Sequence, residues 1–248
     1  MLFSLIRSGG GNIIPVIVYI LSVLMVIFLI NPLHECAHGF VAYKLGDRTA
    51  KNMGRLTLNP ISHIDYLGAA MMLIIGFGWA KPVPINPRNF KRPKVGMALT
   101  ALAGPVSNLL AAFAGGLIYN GLITILVKKG DFIYGPNEAG VNTLFIRDGF
   151  DLGMLKYVLL FFQFFIMINI CLAVFNLIPV PPLDGSKILM VFLPYKAIYK
   201  IQQYEYIITL VLFAAIMMGG VTSLISPIQD RLYEGINDLT QLIYSWSW

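Results

Sequence analysis

Long stretches without a charged side chain alternate with short connectors that are basic or rich in proline. Ile13–Ile30 holds 18 uncharged residues, and helical patterning continues beyond it to Lys44. Val95–Val127 holds 33, and Tyr157–Leu183 and Tyr206–Gln229 are also uncharged. About 20 apolar residues suffice for a helix to cross the hydrocarbon core of a bilayer. The pattern predicts four spans, at about 13–44, 95–127, 157–183 and 206–229. Pro32 is expected to kink the first, and Gly104-Pro105 to turn the second. Tyr66–Ala80 has only 15 residues, which suits a re-entrant or interfacial segment. Pro82, Pro84 and Pro87 make Lys81–Pro87 an extended edge segment, and Arg55–Leu58 is strand-like. Lys128–Lys156 is a polar connector. The tail at 230–245 predicts an interfacial amphipathic helix, with Tyr233, Tyr244, Trp246 and Trp248 as aromatic anchors. The expected fold is an all-α polytopic membrane protein with short extended strands, one membrane-embedded domain over 1–248.

Composition supports this pattern. Hydrophobic residues make up 57% of the chain and charged residues 12%, with a mean hydropathy of +0.74. A soluble domain carries about a quarter charged residues. The net charge of +6 does not indicate nucleic acid, because the basic residues sit between apolar runs. With 66–80 not crossing, Lys44–Lys94 and Lys187–Lys200 lie on one side with twelve Lys and Arg, against six elsewhere, Arg7 and Arg147 among them. The larger group is expected in the cytoplasm. The N-terminal run lacks a small-residue cleavage site and reads as a retained span. Cys36 and Cys171 suggest neither a disulfide framework nor a Cys-x-x-Cys site.

The chemistry is concentrated in Asn31-Pro-Leu-His34-Glu35-Cys-Ala-His38-Gly. Histidines four apart share one helix face and can bind one metal ion, while Glu35 can reach a metal-bound water. Three fixed letters in five also occur by chance. In an apolar helix, however, each ionisable side chain costs on the order of 3 kcal/mol at the bilayer centre, so the cluster reads as functional. Hydration at the interface is the alternative. A catalytic zinc needs a third protein ligand. Asp184, at the cytoplasmic end of the third span, is the candidate, although Asp184-Gly185 by itself also reads as a turn.

His34-Glu-Cys-Ala-His38, Asn176-Leu-Ile-Pro179 and Leu183-Asp184-Gly185 together resemble the site-2 protease family of M50-type intramembrane zinc metalloproteases. Gly104-Pro105-Val-Ser-Asn108 resembles its intervening helix motif. The chain looks like a compact, core-only, bacterial-like branch. The resemblance implies Zn2+ on His34, His38 and Asp184, Glu35 as general base, and Asn176 assisting the reacting carbonyl. It implies cleavage of transmembrane protein or peptide substrates in the lipid bilayer near the cytoplasmic face. Such a substrate must be unwound, and Lys81–Pro87 with Arg55–Leu58 could offer it a strand edge. His63 reads as a polar interfacial residue rather than a ligand, Asn108 as interhelical glue and Cys36 as small packing. An ion-binding transporter and a non-catalytic membrane-helix-binding relative are the competing readings. The first needs a polar pathway that the apolar outer halves of the spans lack.

Overall fold

The computed structural model describes residues 13–75, 78–129, 132–136, 142–146 and 152–245. The protein is predominantly helical. Three helices among the described residues are long and apolar enough to cross a membrane: α1 (Ile14–Lys44), α4 (Pro93–Lys128) and α5 (Leu155–Asn176). Between α1 and α4 lie the short helix α2 (Thr49–Asn52) and α3 (Tyr66–Ile75). At 10 residues α3 is about 15 Å long, too short to span. After α5 come α6 (Asp184–Leu189), α7 (Tyr195–Gln203), α8 (Glu205–Met217) and α9 (Gly220–Ser245).

The fold departs from the sequence pattern in four places. The fourth uncharged run is not one helix. It breaks at Gly219, whose φ of 75° ends α8 after 13 residues, and α9 begins at Gly220. Only a glycine adopts that backbone without strain. The expected turn at Gly104-Pro105 is absent, because α4 runs through Pro105 as a single 36-residue helix. Arg55–Leu58 forms bends rather than a strand, and Lys81–Asn86 is extended but unpaired as a ladder. The strands that do form lie in the polar connector: β1 (Phe132–Pro136) pairs antiparallel with β2 (Asn142–Ile146), Phe132 opposite Ile146 and Pro136 opposite Asn142. Phe132, Ile133 and Tyr134, and Thr143, Phe145 and Ile146, are β-branched or aromatic residues of the kind strands favour. Trp246 and Trp248, expected as anchors, lie outside the described residues, as do Arg7 and Arg147 of the charge count.

Among the described residues the helices pack through three apolar clusters, the smallest of which joins Leu126 of α4 to Leu159 of α5. Val23, Val26, Ile27 and Ile30 of α1 bury against Phe164 and Phe165 of α5. Tyr19 meets Phe164 edge-on, with ring centroids 5.5 Å apart. The second cluster joins Ile166, Ile170 and Val174 of α5 to Leu212 of α8 and to Val221 and Ile225 of α9. In lipid, association depends on close packing and interhelical hydrogen bonds rather than on expulsion of water. Gly115 accordingly admits Phe165 and Ile166, and Gly116 admits Ile236 and Thr240. Asn120 Nδ2 donates to Thr240 Oγ1 at 2.7 Å and to Asn237 Oδ1 at 3.1 Å, which ties α9 along α4. Ile17, Leu21, Leu110 and Ile118 point outward and leave an apolar outer surface on α1 and α4.

Candidate metal centre

The His34-Glu35-Cys-Ala-His38 motif opens shortly after a π-helical turn, Val26–Ile30. Pro32 has no N–H to donate and its ring would crowd the preceding turn, so the wider turn relieves the clash. The helix then regains α geometry from Asn31. His34 and His38 project from one face, their rings edge-to-face at 4.6 Å and both buried.

Helix α4 fixes both rings. His34 Nδ1 lies 2.7 Å from Asn108 Oδ1, and His38 Nδ1 lies 2.7 Å from the carbonyl oxygen of Thr100. A carbonyl only accepts, so each Nδ1 carries the proton and each Nε2 presents a lone pair. Those two Nε2 atoms are 3.0 Å apart. Asp184 Oδ2, a third lone-pair donor, is 3.4 Å from the Nε2 of His34 and 3.1 Å from that of His38. Three neutral or anionic acceptors this close repel one another unless a cation lies among them. Ligands 2.0–2.1 Å from a tetrahedral zinc are separated by about 3.3 Å, which matches this triangle. The donor set also suits zinc. Gly104 completes the cradle, because a Cβ there would collide with both Nε2 atoms.

Asp184 reaches the triangle through a tight corner. Leu183 is extended, Asp184 is the first residue of α6, and Gly185 sits against the carbonyls of Leu177 and Ile178. A side chain at Gly185 would collide with both carbonyls, so α6 could not close on the end of α5. Lys187 Nζ pairs with Asp184 Oδ1 at 3.0 Å, leaving Oδ2 for the imidazoles.

Glu35 is buried beside the triangle, and its ligand-type oxygen lies within 4.8 Å of those of His34 and His38. Its Oε2 accepts the N–H of Val83 at 2.8 Å, so the extended segment orients this carboxylate. Glu35, Asn176, Lys187, Trp79 and Phe213 line one cavity of about 470 Å³ with the triangle. Asn176 spends one amide proton on the Leu172 carbonyl, at 2.9 Å. Asn108 supports His34 directly, a role beyond the packing expected of it. His63 is fully buried and bonds the Thr57 carbonyl at 2.8 Å through Nε2, apart from the cavity lining. Cys36 is a half-buried free thiol. The sequence reading missed Thr100 and Lys187 as supports. A backbone carbonyl carries no sequence signature, whereas a basic residue three positions after Asp184, on the same helix face, was a usable signal.

The model of peptidase family M50 matches residues 19–219. The chain is 40% identical over 198 residues to "Putative zinc metalloprotease YwhC" of Bacillus subtilis, covering 79% of this chain and 80% of that protein. It is 28% identical over 195 residues to "Putative zinc metalloprotease Rip2" of Mycobacterium tuberculosis, covering 76% of this chain and 64% of that protein. No solved structure matches the chain. A family match spanning most of the chain, together with the 40% identity to the Bacillus protein, establishes that the chain belongs to peptidase family M50.

Proposed function

We propose that this protein is an intramembrane zinc endopeptidase that hydrolyses peptide bonds within or near transmembrane segments. The reading rests on one observation: two imidazole nitrogens and a carboxylate oxygen converge within 3.0–3.4 Å beside helices long and apolar enough to cross a membrane. His34, His38 and Asp184 hold the metal. When bound, zinc supplies the Lewis acidity that makes a water acidic enough to lose a proton near neutral pH. Glu35 takes that proton through the oxygen that Val83 leaves free and delivers it to the leaving nitrogen. The second amide proton of Asn176 stabilises the developing oxyanion. Asn108 and the Thr100 carbonyl keep both imidazoles in the ligating tautomer. With α1 entering the basic side, His34 lies about 15 Å inside the cytoplasmic end of α1 at Lys44, so cleavage occurs toward the cytoplasmic face of a multi-pass protein. The Lys81–Pro87 edge offers an unwound substrate the Ile85 N–H and Val83 carbonyl, since Glu35 takes the Val83 N–H and Arg55 holds the Lys81 and Pro82 carbonyls.

The test measures zinc content and cleavage of a model transmembrane peptide for wild type, Asp184→Ala and Glu35→Gln. Asp184→Ala should lose both metal and cleavage. Glu35→Gln should keep the metal and lose cleavage. Stoichiometric zinc with full turnover in either variant rejects the assignment of that residue.

A further inference from the structure

We propose that Asp47 is a positioning residue for the peptidase, setting the location of the extended segment 83–86 and, through the Val83 N–H, of the Glu35 carboxylate. The proposal rests on the reading of Glu35 as the base. Asp47 is fully buried yet belongs to neither the metal triangle nor the cavity lining. A buried carboxylate is costly unless donors surround it. Its donors are the Thr49 N–H at 3.0 Å, the Thr49 hydroxyl, the Asn86 N–H at 2.7 Å and the Asn89 amide at 2.7 Å. The Thr49 pair is the local turn that starts α2. A cap needs nothing more. The Asn86 and Asn89 bonds reach across 39 and 42 residues and hold the far end of the strap. Gly46, with φ of 110°, makes the corner that lets Asp47 meet this turn, and a Cβ there would press on the Asn89 carbonyl at 3.3 Å.

The link from Asp47 to Glu35 is short and stiff. Asn86 is three residues from Val83, about 10 Å of extended chain. Pro84 within that stretch and Pro82 and Pro87 on either side have fixed φ. Val83 is buried and packs over Gly39, one turn beyond Glu35 on α1, where a Cβ would meet its Cγ1 at 3.3 Å. The strap therefore bridges the last turns of the motif helix, tied at Glu35 and again at Asp47 just past the helix end. Its upstream end is held separately, by the His63 carbonyl on the Lys81 N–H at 2.8 Å and by Arg55. Release at Asp47 frees the downstream end to swing about that anchor, carrying the Val83 N–H with it.

A double-mutant cycle tests this on the full-length, zinc-loaded protein in nanodiscs, using Asp47→Ala, Val83→Pro and the pair. Val83→Pro deletes the N–H that Glu35 accepts. Asp47→Ala should lower kcat about tenfold with KM within about twofold and zinc content unchanged, since small misplacements of a base act on the chemical step. On the Val83→Pro background it should cost less than about twofold, because the bond it acts through is already gone. Amide exchange at 81–86 should rise in Asp47→Ala while that of 31–44 stays protected. Independent multiplicative losses, an unchanged kcat, or unchanged exchange at 81–86 overturn the proposal. Asn89→Ala, which removes a single donor, should give a smaller change of the same kind and serves if Val83→Pro does not fold. A wild type that cleaves nothing defeats the peptidase reading instead, and the exchange measurement still decides whether Asp47 holds the strap.

Discussion

Replacing Gly104 by alanine should destroy the metal centre while leaving the helix that carries it intact. Alanine favours a helix by about 1 kcal/mol over glycine, so the backbone itself gains. The added Cβ, however, would lie 2.5 Å from His34 Cε1, about 0.9 Å inside the 3.4 Å at which ordinary contact begins, and closer still to both Nε2 atoms. Neither side can yield independently. Both rings are bonded at 2.7 Å to Asn108 and Thr100, which are on the same helix as Gly104, so moving α4 away drags the ring partners with it. A displacement of about 1 Å at a catalytic constellation costs on the order of 100-fold in rate, and loss of ligand support costs about 10- to 100-fold in metal affinity. The assay is zinc per chain by elemental analysis, chelator competition, and peptide cleavage. Gly235→Ala is the control, since nothing lies within 4 Å of a Cβ there, and it should keep zinc and turnover. If Gly104→Ala binds zinc with wild-type affinity and cleaves at an undiminished rate, the cradle described above is wrong.

Other outcomes follow from the same geometry. Asn108→Ala leaves the buried His34 Nδ1–H without its acceptor, and chelator competition should show about 10- to 100-fold weaker zinc binding. Asn120→Ala removes both bonds from α4 to α9 and should lower stability by about 1 kcal/mol, read from unfolding in detergent, with zinc content unchanged. Burial raises the Asp47 carboxyl, but bonds from Thr49, Asn89 and Asn86 more than offset this and hold it below its ordinary range. A depressed native value means that its stabilisation is fully present above about pH 4 and is lost as pH falls through that lower value. Amide protection at 86–89, corrected for the intrinsic exchange rate at each pH, should therefore fall selectively on acidification, and an Asp47→Ala variant should lack that response.

The sequence alone specified what lipid and metal chemistry demand locally. Uncharged length marked α1, α4 and α5 as helices long and apolar enough to cross a membrane, where backbone groups find no other partners. The spacing of His34 and His38 fixed a shared helix face, because helical periodicity is a local property. Counting uncharged residues failed at Gly219, where one positive φ ends α8 inside a continuous apolar run, and the turn expected at Gly104-Pro105 is absent because α4 continues through Pro105. The tertiary structure alone decided how Asp184 meets the histidines, which carbonyl fixes His38, why Gly104 and Gly185 cannot carry a side chain, and what holds Glu35. Those are distances between segments up to 150 residues apart, set by close packing of helices. No local propensity encodes them, because the atoms involved become neighbours only after the spans have assembled.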